Sequence, residues 1–170
     1  MHKRKHFLKE VVWIAFILFL LAIVVRQGNR LIDTAFTRVA FPRNASIFEN
    51  FKVYFTSVTI LVITEYFIVF EYPNNYLLSR VIGTLVMMGI TTLILTTYYL
   101  IGKRELNLIF LYLVYLIAIV IGQYISYLIQ RRREYNFGLF LGLAQYLLVA
   151  SIIIIFTSVA PRGFIFSWFR

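Results

Sequence analysis

Long apolar segments, separated by short polar stretches, recur along most of the chain. A helix needs about 20 mostly apolar residues to cross the hydrocarbon of a bilayer. Five segments meet or approach this length, and they predict transmembrane helices over residues 7–25, 47–70, 81–101, 106–129 and 137–160. Short connections between the last four favour antiparallel neighbours and an up-and-down all-α bundle. We therefore predict that residues 1–170 form a single integral membrane domain.

The connection between the first and second apolar segments is longer and has its own period. Over residues 30–40, apolar side chains recur at the i, i+3, i+4 and i+7 spacing of an amphipathic helix, while Arg30 and Arg38 fall among the polar positions. This stretch is too short and too charged to span a bilayer. It predicts an interfacial helix whose arginines approach lipid phosphates. The alternative is a loop packed over the end of the bundle.

The composition agrees with a protein whose solvent is lipid. Hydrophobic residues make up 61% of the chain and charged residues 14%, whereas a soluble domain is about half apolar and about a quarter charged. The net charge of +10 could suggest nucleic-acid binding. However, the basic residues stand in short groups between apolar segments, as expected near anionic head groups. We therefore expect the lipid bilayer as a partner and no nucleic acid.

Few residues could support catalysis or hold a cofactor. The chain has no cysteine, and its two histidines, His2 and His6, stand in the basic N-terminal segment. No phosphate-binding glycine loop, metal-ligand spacing or Ser/His/Asp set can be assembled from the sequence. We therefore expect neither a metal nor a cofactor, and an enzyme is the less favoured class. The first apolar segment ends without a small-x-small cleavage pattern, so we interpret it as a retained helix.

Basic residues are divided almost evenly between the two sides of the predicted bundle. We call the side that holds the N-terminus side A and the opposite side side B. Side A carries eight basic residues, which are Lys3, Arg4, Lys5, Lys9, Arg80, Arg131, Arg132 and Arg133. Side B carries nine, so the asymmetry used by the positive-inside rule is absent. The compact groups on side A favour a cytoplasmic side A.

Three polar residues inside the predicted spans are the first candidates for a functional site, because such residues are costly in a membrane. Glu65, Gln123 and Gln145 stand on three helices, each about 9 to 12 Å below the side-A surface by helical rise. One hypothesis is a hydrated pocket, open toward side A, in which Glu65 binds a proton, a cation or an amine. The alternatives are hydrogen bonds that hold the bundle together and a coincidence of register.

A second motif precedes the second predicted span. Asn44, Ser46, Glu49 and Lys52 form a polar group in which Ser46-x-x-Glu49 has the spacing of a helix capping box. Glu49 and Lys52 are three residues apart, so they can pair on one helix face. The motif therefore predicts the start of a helix. The functional alternative is a polar site at the side-B mouth of the bundle.

The fifth predicted span contains a small-residue motif, Gly138-x-x-x-Gly142. This spacing permits two helices to approach closely. The contact could form between two copies of the chain or, as is more common, within one bundle.

Several of these motifs together resemble a known family. The matching stretches are Asn44-x-Ser46-Ile47-Phe48-Glu49-x-x-Lys52, Glu65-Tyr66-Phe67 and Gly122-Gln123-Tyr124-Ile125-Ser126-Tyr127. In order and spacing they resemble an uncharacterised family of small multi-pass membrane proteins, found mainly in Firmicutes, that is known only as a domain of unknown function. The resemblance covers nearly the whole chain. It implies a bacterial plasma membrane and adds weight to Glu49, Lys52, Glu65 and Gln123, but it implies no known reaction.

The chain also departs from the family pattern. Asn50 stands where family members usually carry a histidine, and the segment that begins at Pro161 replaces a longer tail containing proline and histidine. An activity that depended on those histidines would be lost in this chain.

Three classes of function remain open on the sequence. We expect first an accessory or interaction protein of the bacterial membrane, with a protein partner or a second copy of itself. A small transporter or ligand-binding membrane subunit, using Glu65, Gln123 and Gln145, is the second class. A membrane-embedded enzyme that modifies lipid is the third.

Overall fold

The computed structural model describes residues 2–28, 34–68, 73–101, 106–132, 137–159 and 166, with side chains in the first helix from residue 11 onward. The helices are α1 (His2–Gln27), α2 (Ala35–Ala40), α3 (Ile47–Ile68), α4 (Tyr76–Leu100), α5 (Leu108–Gln130) and α6 (Gly138–Val159). The all-α class predicted from the sequence is confirmed.

Four of these helices have the length and composition of membrane spans. α3, α4, α5 and α6 contain 22 to 25 residues each and are strongly apolar. α1 contributes a shorter apolar stretch, Val11–Gln27. The predicted polytopic helical bundle is therefore confirmed, with four long spans and one shorter apolar helix.

The helices pack as a ring of four with two additions. α1 and α4 each contact both α3 and α5, so these four helices enclose the main core. α6 packs outside the ring against α4, and α2 lies against α3 and α6. α6 runs parallel to α4, because its first residue, Gly138, lies beside Asn74 and Asn75, just before α4 begins. α4 is therefore the helix that contacts three of the other spans.

The buried face of α5 illustrates how the sequence period produces the core. Its buried positions follow the i, i+3, i+4 spacing and are Leu111, Val114, Tyr115, Ala118, Ile119, Gly122, Gln123 and Ser126. Side chains at this spacing lie on one face of a helix. The stripe is apolar toward side B and becomes polar at Gln123 and Ser126, near the side-A end. Gln123 thus points into the bundle.

The start of α4 corrects the sequence analysis. The predicted span begins at residue 81, but α4 begins at Tyr76, five residues earlier. The Tyr76 N–H donates to the Pro73 carbonyl and the Ser79 N–H to the Asn75 carbonyl, both at 2.9 Å, so the turn after Pro73 leads directly into the helix. Arg80, which the sequence predicts among the basic residues of side A, therefore lies in the second turn of α4 and is 4% exposed.

Two pairs of glycines set the helix spacing around α4. A Cβ on Gly83 would lie 2.9 Å from the Gly122 carbonyl oxygen, and a Cβ on Gly122 would lie 2.8 Å from that of Gly83. α4 and α5 therefore meet backbone to backbone. A Cβ on Gly142 would lie 2.5 Å from the Leu78 backbone nitrogen. The Gly138-x-x-x-Gly142 motif thus packs α6 on α4 within one chain.

Parts of the predicted interfacial helix and of the other predicted elements lie outside the described residues. Of the stretch 30–40, residues 30–33 are not described, and α2 covers Ala35–Ala40. The Thr34 hydroxyl accepts from the Thr37 N–H at 3.2 Å and the Thr37 hydroxyl accepts from the Thr34 N–H at 2.8 Å, which caps α2. The end of the second predicted span at residues 69–70 and the end of the fifth at residue 160 also lie outside the described ranges.

Candidate functional site

A network of four polar side chains lies near the side-A end of the bundle. The Arg80 Nη2 donates to both carboxylate oxygens of Glu65, at 2.7 Å and 3.0 Å. The Arg80 Nη1 donates to the Gln123 Oε1 at 2.7 Å. The Tyr76 hydroxyl donates to Glu65 as well. We call these four residues, Glu65, Tyr76, Arg80 and Gln123, the Arg80 cluster.

The cluster forms because three helices present their side-A ends at one place. Glu65 lies in the last turn of α3, Arg80 in the second turn of α4 and Gln123 two turns before the end of α5. The close approach of Gly83 and Gly122 brings the backbones of α4 and α5 together next to Arg80 and Gln123. Bulkier residues there would separate the guanidinium from the amide.

The charges of the cluster balance each other in a poorly hydrated place. The side chain of Arg80 is 4% exposed and that of Glu65 is 19% exposed. Isolated ions are costly in a membrane interior, and a paired, hydrogen-bonded arrangement reduces that cost. The Arg80 guanidinium also lies 5.2 Å from the centre of the Tyr76 ring, a cation–π distance. The cluster therefore links α3, α4 and α5 without leaving an unbalanced charge.

The three candidates from the sequence are placed differently. Glu65 and Gln123 belong to one cluster, although each contacts Arg80 rather than the other. Gln145, on α6, does not join them: its Oε1 is buried and has no hydrogen-bond partner among the residues that the structure describes. The sequence analysis missed Arg80 and Tyr76. The signal was available, because the apolar residues Leu77 and Leu78 precede Arg80 and extend the predicted span.

A small cavity borders the Arg80 cluster. Its volume is about 10 Å³, roughly the space that the centre of one water molecule needs. The lining is mostly apolar and consists of Phe55, Val58, Val62, Leu77, Arg80, Val81, Thr84, Tyr146 and Val149. This cavity is narrower and more apolar than the hydrated pocket that the sequence suggested.

Two larger grooves open on either side of the gap between α3 and α6. The first groove has a volume of about 450 Å³ and lies between α3, α4 and α6, where Phe51, Gly89 and Ile152 contribute to its lining. The second has a volume of about 330 Å³ and lies between α2, α3 and α6, where Phe36, Ile60 and others line it. Both linings are almost entirely apolar. They suit hydrocarbon rather than a hydrated solute.

Two separate polar contacts lie at the side-B start of α3. The Lys52 Nζ donates to the Glu49 Oε1 and to the Arg38 carbonyl, both at 2.9 Å, and the Lys52 side chain has no exposed surface. The Tyr115 hydroxyl of α5 donates to the Asn50 Oδ1. We call Glu49, Asn50, Lys52 and Tyr115 the Lys52 cluster. The predicted Glu49–Lys52 pair is thus present and carries additional partners.

The capping of α3 differs in one respect from the predicted capping box. The Glu49 N–H donates to the Ser46 hydroxyl at 3.3 Å, as a capping box requires. The reciprocal bond is replaced: the Ser46 N–H donates to the Asn44 Oδ1, and the Glu49 carboxylate accepts from the Arg43 N–H, both at 2.8 Å. Asn44 stands two residues before Ser46, so its side chain accepts from the Ser46 N–H in place of the Glu49 carboxylate. Glu49 therefore stabilises the loop before the helix as well as its first turn.

Two side chains of α3 hold α2 in place. Lys52 donates to the Arg38 carbonyl, and the Thr56 hydroxyl donates to the Ala40 carbonyl at 2.6 Å. Both carbonyls lie in the last turn of α2, where the helix leaves acceptors unsatisfied and where positive charge is favourable. The motif at residues 44–52 therefore joins α2, the following loop and α3. These contacts lie within one chain and hold α2 and the following loop against the side-B end of α3.

The described side chains include no group of three or more His, Cys, Asp or Glu residues that could hold a metal ion.

No protein-family model matches the chain. No curated protein and no solved structure matches it either. The resemblance to the uncharacterised Firmicutes family therefore remains a prediction from the motifs.

Proposed function

We propose that this chain is an accessory or interaction protein of the membrane, which acts by associating with another membrane protein or a second copy of itself. The observation that carries the proposal is that the side chains of the Arg80 cluster bind one another. Glu65 and Arg80 bind each other, and Tyr76 and Gln123 each add a hydrogen bond to this pair. The side chains that would carry transport or acid–base chemistry thus serve to join α3, α4 and α5.

The continuity of the spans also favours this function over transport. Many transporters bind their substrate at discontinuous helices, whose exposed ends coordinate ions or carboxylates near the bilayer midplane. Here α3, α4, α5 and α6 each run unbroken over 22 or more residues. The charged pair lies near one end of the bundle instead. A lipid-modifying enzyme remains the least favoured class, because the described residues that line the grooves include threonines but no Asp, Glu, His, Cys or Lys that could activate them.

We propose the bacterial plasma membrane as the location and the small Firmicutes family as the chain's relatives. Both rest on the motifs at residues 44–52, 65–67 and 122–127. In this chain, two of these motifs supply Glu65 and Gln123 of the Arg80 cluster, and the third supplies Glu49, Asn50 and Lys52 of the Lys52 cluster. Residues that hold the bundle together would keep their positions in relatives with the same fold.

Native mass spectrometry of the protein, gently extracted from its own membrane, tests the proposed function. Wild type is compared with Glu65→Gln/Arg80→Gln, which removes both charges and keeps side chains that can hydrogen-bond. If the Glu65–Arg80 pair serves only to join the helices, wild type and the double variant should carry the same second protein, or the same second copy, in a fixed ratio.

A different result would favour transport or ligand binding. Wild type would then carry a small molecule or ion and no protein, and the double variant would lose it while remaining folded. Circular dichroism of both proteins supplies the control for folding. That outcome would overturn the proposed function.

A further inference from the structure

One hydrogen-bond donor of the Arg80 cluster remains unused. Both terminal nitrogens of Arg80 donate to Gln123 or Glu65, but its Nε is buried and has no partner among the described residues. Arg80 is 96% buried by its 4% exposure. A buried donor without an acceptor is unfavourable, so native structures usually supply a protein group, a water or a ligand.

The cavity beside Arg80 is the place where such an acceptor would fit. Arg80 and Thr84 form part of its lining, and its volume of about 10 Å³ admits one oxygen-sized group. The Tyr146 hydroxyl, also from the lining, already shares a hydrogen bond with Thr59 at 2.8 Å. The Thr84 hydroxyl donates to the Arg80 carbonyl. Of the described residues that line the cavity, Arg80 is the one with a buried polar atom that has no hydrogen-bond partner.

The cavity adjoins the first groove. Val149 lines both spaces, which places the cavity next to the groove. The groove is apolar, and its volume of about 450 Å³ is far larger than that of the cavity. A ligand that used both spaces would carry a small polar head in the cavity and a long apolar chain in the groove.

The charge of the cluster restricts the head group. Glu65 already neutralises Arg80 at 2.7 Å. A second anion brought into this apolar place would lack a compensating charge and would be costly to desolvate. An uncharged acceptor, such as a hydroxyl or an ester carbonyl, could take the Nε–H without that cost.

We propose that the cavity and the first groove form a binding site for a single-chain lipid with an uncharged, hydrogen-bond-accepting head. The head accepts from the Arg80 Nε, and the chain lies between α3, α4 and α6. This site is independent of the proposed protein partner, and either can be present without the other.

Gly89 offers a way to block the groove without disturbing the packing. It lines the first groove, and a Cβ built on it would meet nothing within 4 Å. Gly89→Phe therefore fills the groove, whereas Gly89→Ala adds one methyl group and leaves most of the space. Both changes replace a glycine inside a helix, so neither is expected to unfold α4.

The test measures which probes the delipidated protein retains. Wild type, Gly89→Ala and Gly89→Phe are equilibrated in detergent with oleyl alcohol, 1-octadecene or oleate, separated by gel filtration and analysed by gas chromatography. We expect wild type and Gly89→Ala to retain about one oleyl alcohol per chain. Retention of octadecene, which has no acceptor, and of oleate, which is charged, should be at least about tenfold weaker, a difference of one hydrogen bond or more. Gly89→Phe should lose oleyl alcohol.

Three results would overturn the proposal. Equal retention of octadecene and oleyl alcohol would mean that the head is not recognised. Unchanged retention by Gly89→Phe would place the lipid elsewhere. Retention of none of the probes would mean that only water occupies the cavity.

Discussion

The Arg80 cluster and the Lys52 cluster contain the same kinds of groups at opposite ends of α3. Each contains one cation, one carboxylate, one amide and one tyrosine. In the Arg80 cluster the amide and the tyrosine bind the ion pair, whereas Asn50 and Tyr115 bind each other beside the Glu49–Lys52 pair. Their connectivity differs: Glu49 and Lys52 are three residues apart on one helix, whereas Glu65 and Arg80 are fifteen residues apart on two helices. The Glu49–Lys52 pair stabilises the start of α3 and the loop beside it. The Arg80 pair fixes the position of one helix against another.

The helix dipoles add a second difference between the Arg80 cluster and the Lys52 cluster. Glu49 lies in the first turn of α3, where the partial positive charge of the helix stabilises a carboxylate. Glu65 lies in the last turn of α3, at the negative end, and Arg80 lies near the positive end of α4. The backbone thus favours Glu49 and disfavours Glu65. Glu65 and Arg80 should therefore depend on each other more than Glu49 and Lys52 do.

The largest expected effect follows from removing the cation of the Arg80 cluster. Arg80→Met leaves the Glu65 carboxylate near the negative end of α3, without its counter-ion and with 19% of its side chain exposed. Removing one partner of a buried pair costs about 3 to 5 kcal/mol, and we expect the lower half of this range because Glu65 keeps some contact with solvent. Unfolding in mixed detergent micelles measures the loss.

The double variant Glu65→Gln/Arg80→Gln is the control for that prediction. It removes both charges, so no ion remains uncompensated, and it should recover more than half of the lost free energy of unfolding. A double variant as unstable as Arg80→Met would indicate that Arg80 acts through its packing rather than its charge.

The next effect concerns the glycine contact that brings the helices of the Arg80 cluster together. In Gly122→Ala the new methyl group would lie 2.5 Å from Met87 and 2.8 Å from the Gly83 carbonyl oxygen, so α5 must move away from α4. Overpacking of this kind costs about 1 to 3 kcal/mol. Gly89→Ala, on α4 with open space around it, is the matched control and should be neutral or stabilising. Equal effects of the two alanines in a thermal-unfolding measurement would argue against the close contact.

The smallest effect is expected at the Lys52 cluster. Lys52→Met removes a buried ammonium and keeps a side chain of similar length, while Glu49 retains the Arg43 N–H and its place in the first turn of α3. We expect a loss of about 1 kcal/mol, the value of a typical hydrogen bond. Because the Arg38 carbonyl loses its donor, protease cleavage near α2 should increase. A loss as large as that of Arg80→Met would remove the distinction between the two clusters.

Local patterns explain how much of this structure could be predicted. The apolar segments fixed the helical class, and the Ser46-x-x-Glu49 spacing located the start of α3, because both depend on neighbouring residues. Local patterns also explain why the sequence does not predict Arg80 as the partner of Glu65. Arg80 stands after a turn at Pro73 that permits an early helix start, and basic residues at a predicted boundary are usually assigned to the surface.

Contacts between distant helices were the harder part. The bond between Asn50 and Tyr115 crosses 65 residues, and nothing near either residue indicates the other. Gln145 has the same depth in the sequence as Gln123, yet α6 lies outside the four-helix ring and keeps it from the Arg80 cluster. The order of helices around the ring, which no local pattern encodes, decides which polar residues meet. Arg80 and Lys52 both lie inside the bundle, so each side has one basic residue fewer at its surface than the sequence predicts.

A pair of double-mutant cycles tests the central claim, that Glu65 and Arg80 depend on each other more than Glu49 and Lys52 do. The free energies of unfolding are measured for Glu65→Gln, Arg80→Gln and their combination, and in parallel for Glu49→Gln, Lys52→Gln and theirs. We predict a coupling energy of about 2 to 3 kcal/mol for the first pair. For the second pair we predict less than about 1 kcal/mol, because Glu49 keeps the Arg43 N–H and the first turn of α3 when Lys52 is replaced. Additive effects at Glu65 and Arg80, within about 0.5 kcal/mol, would contradict the account.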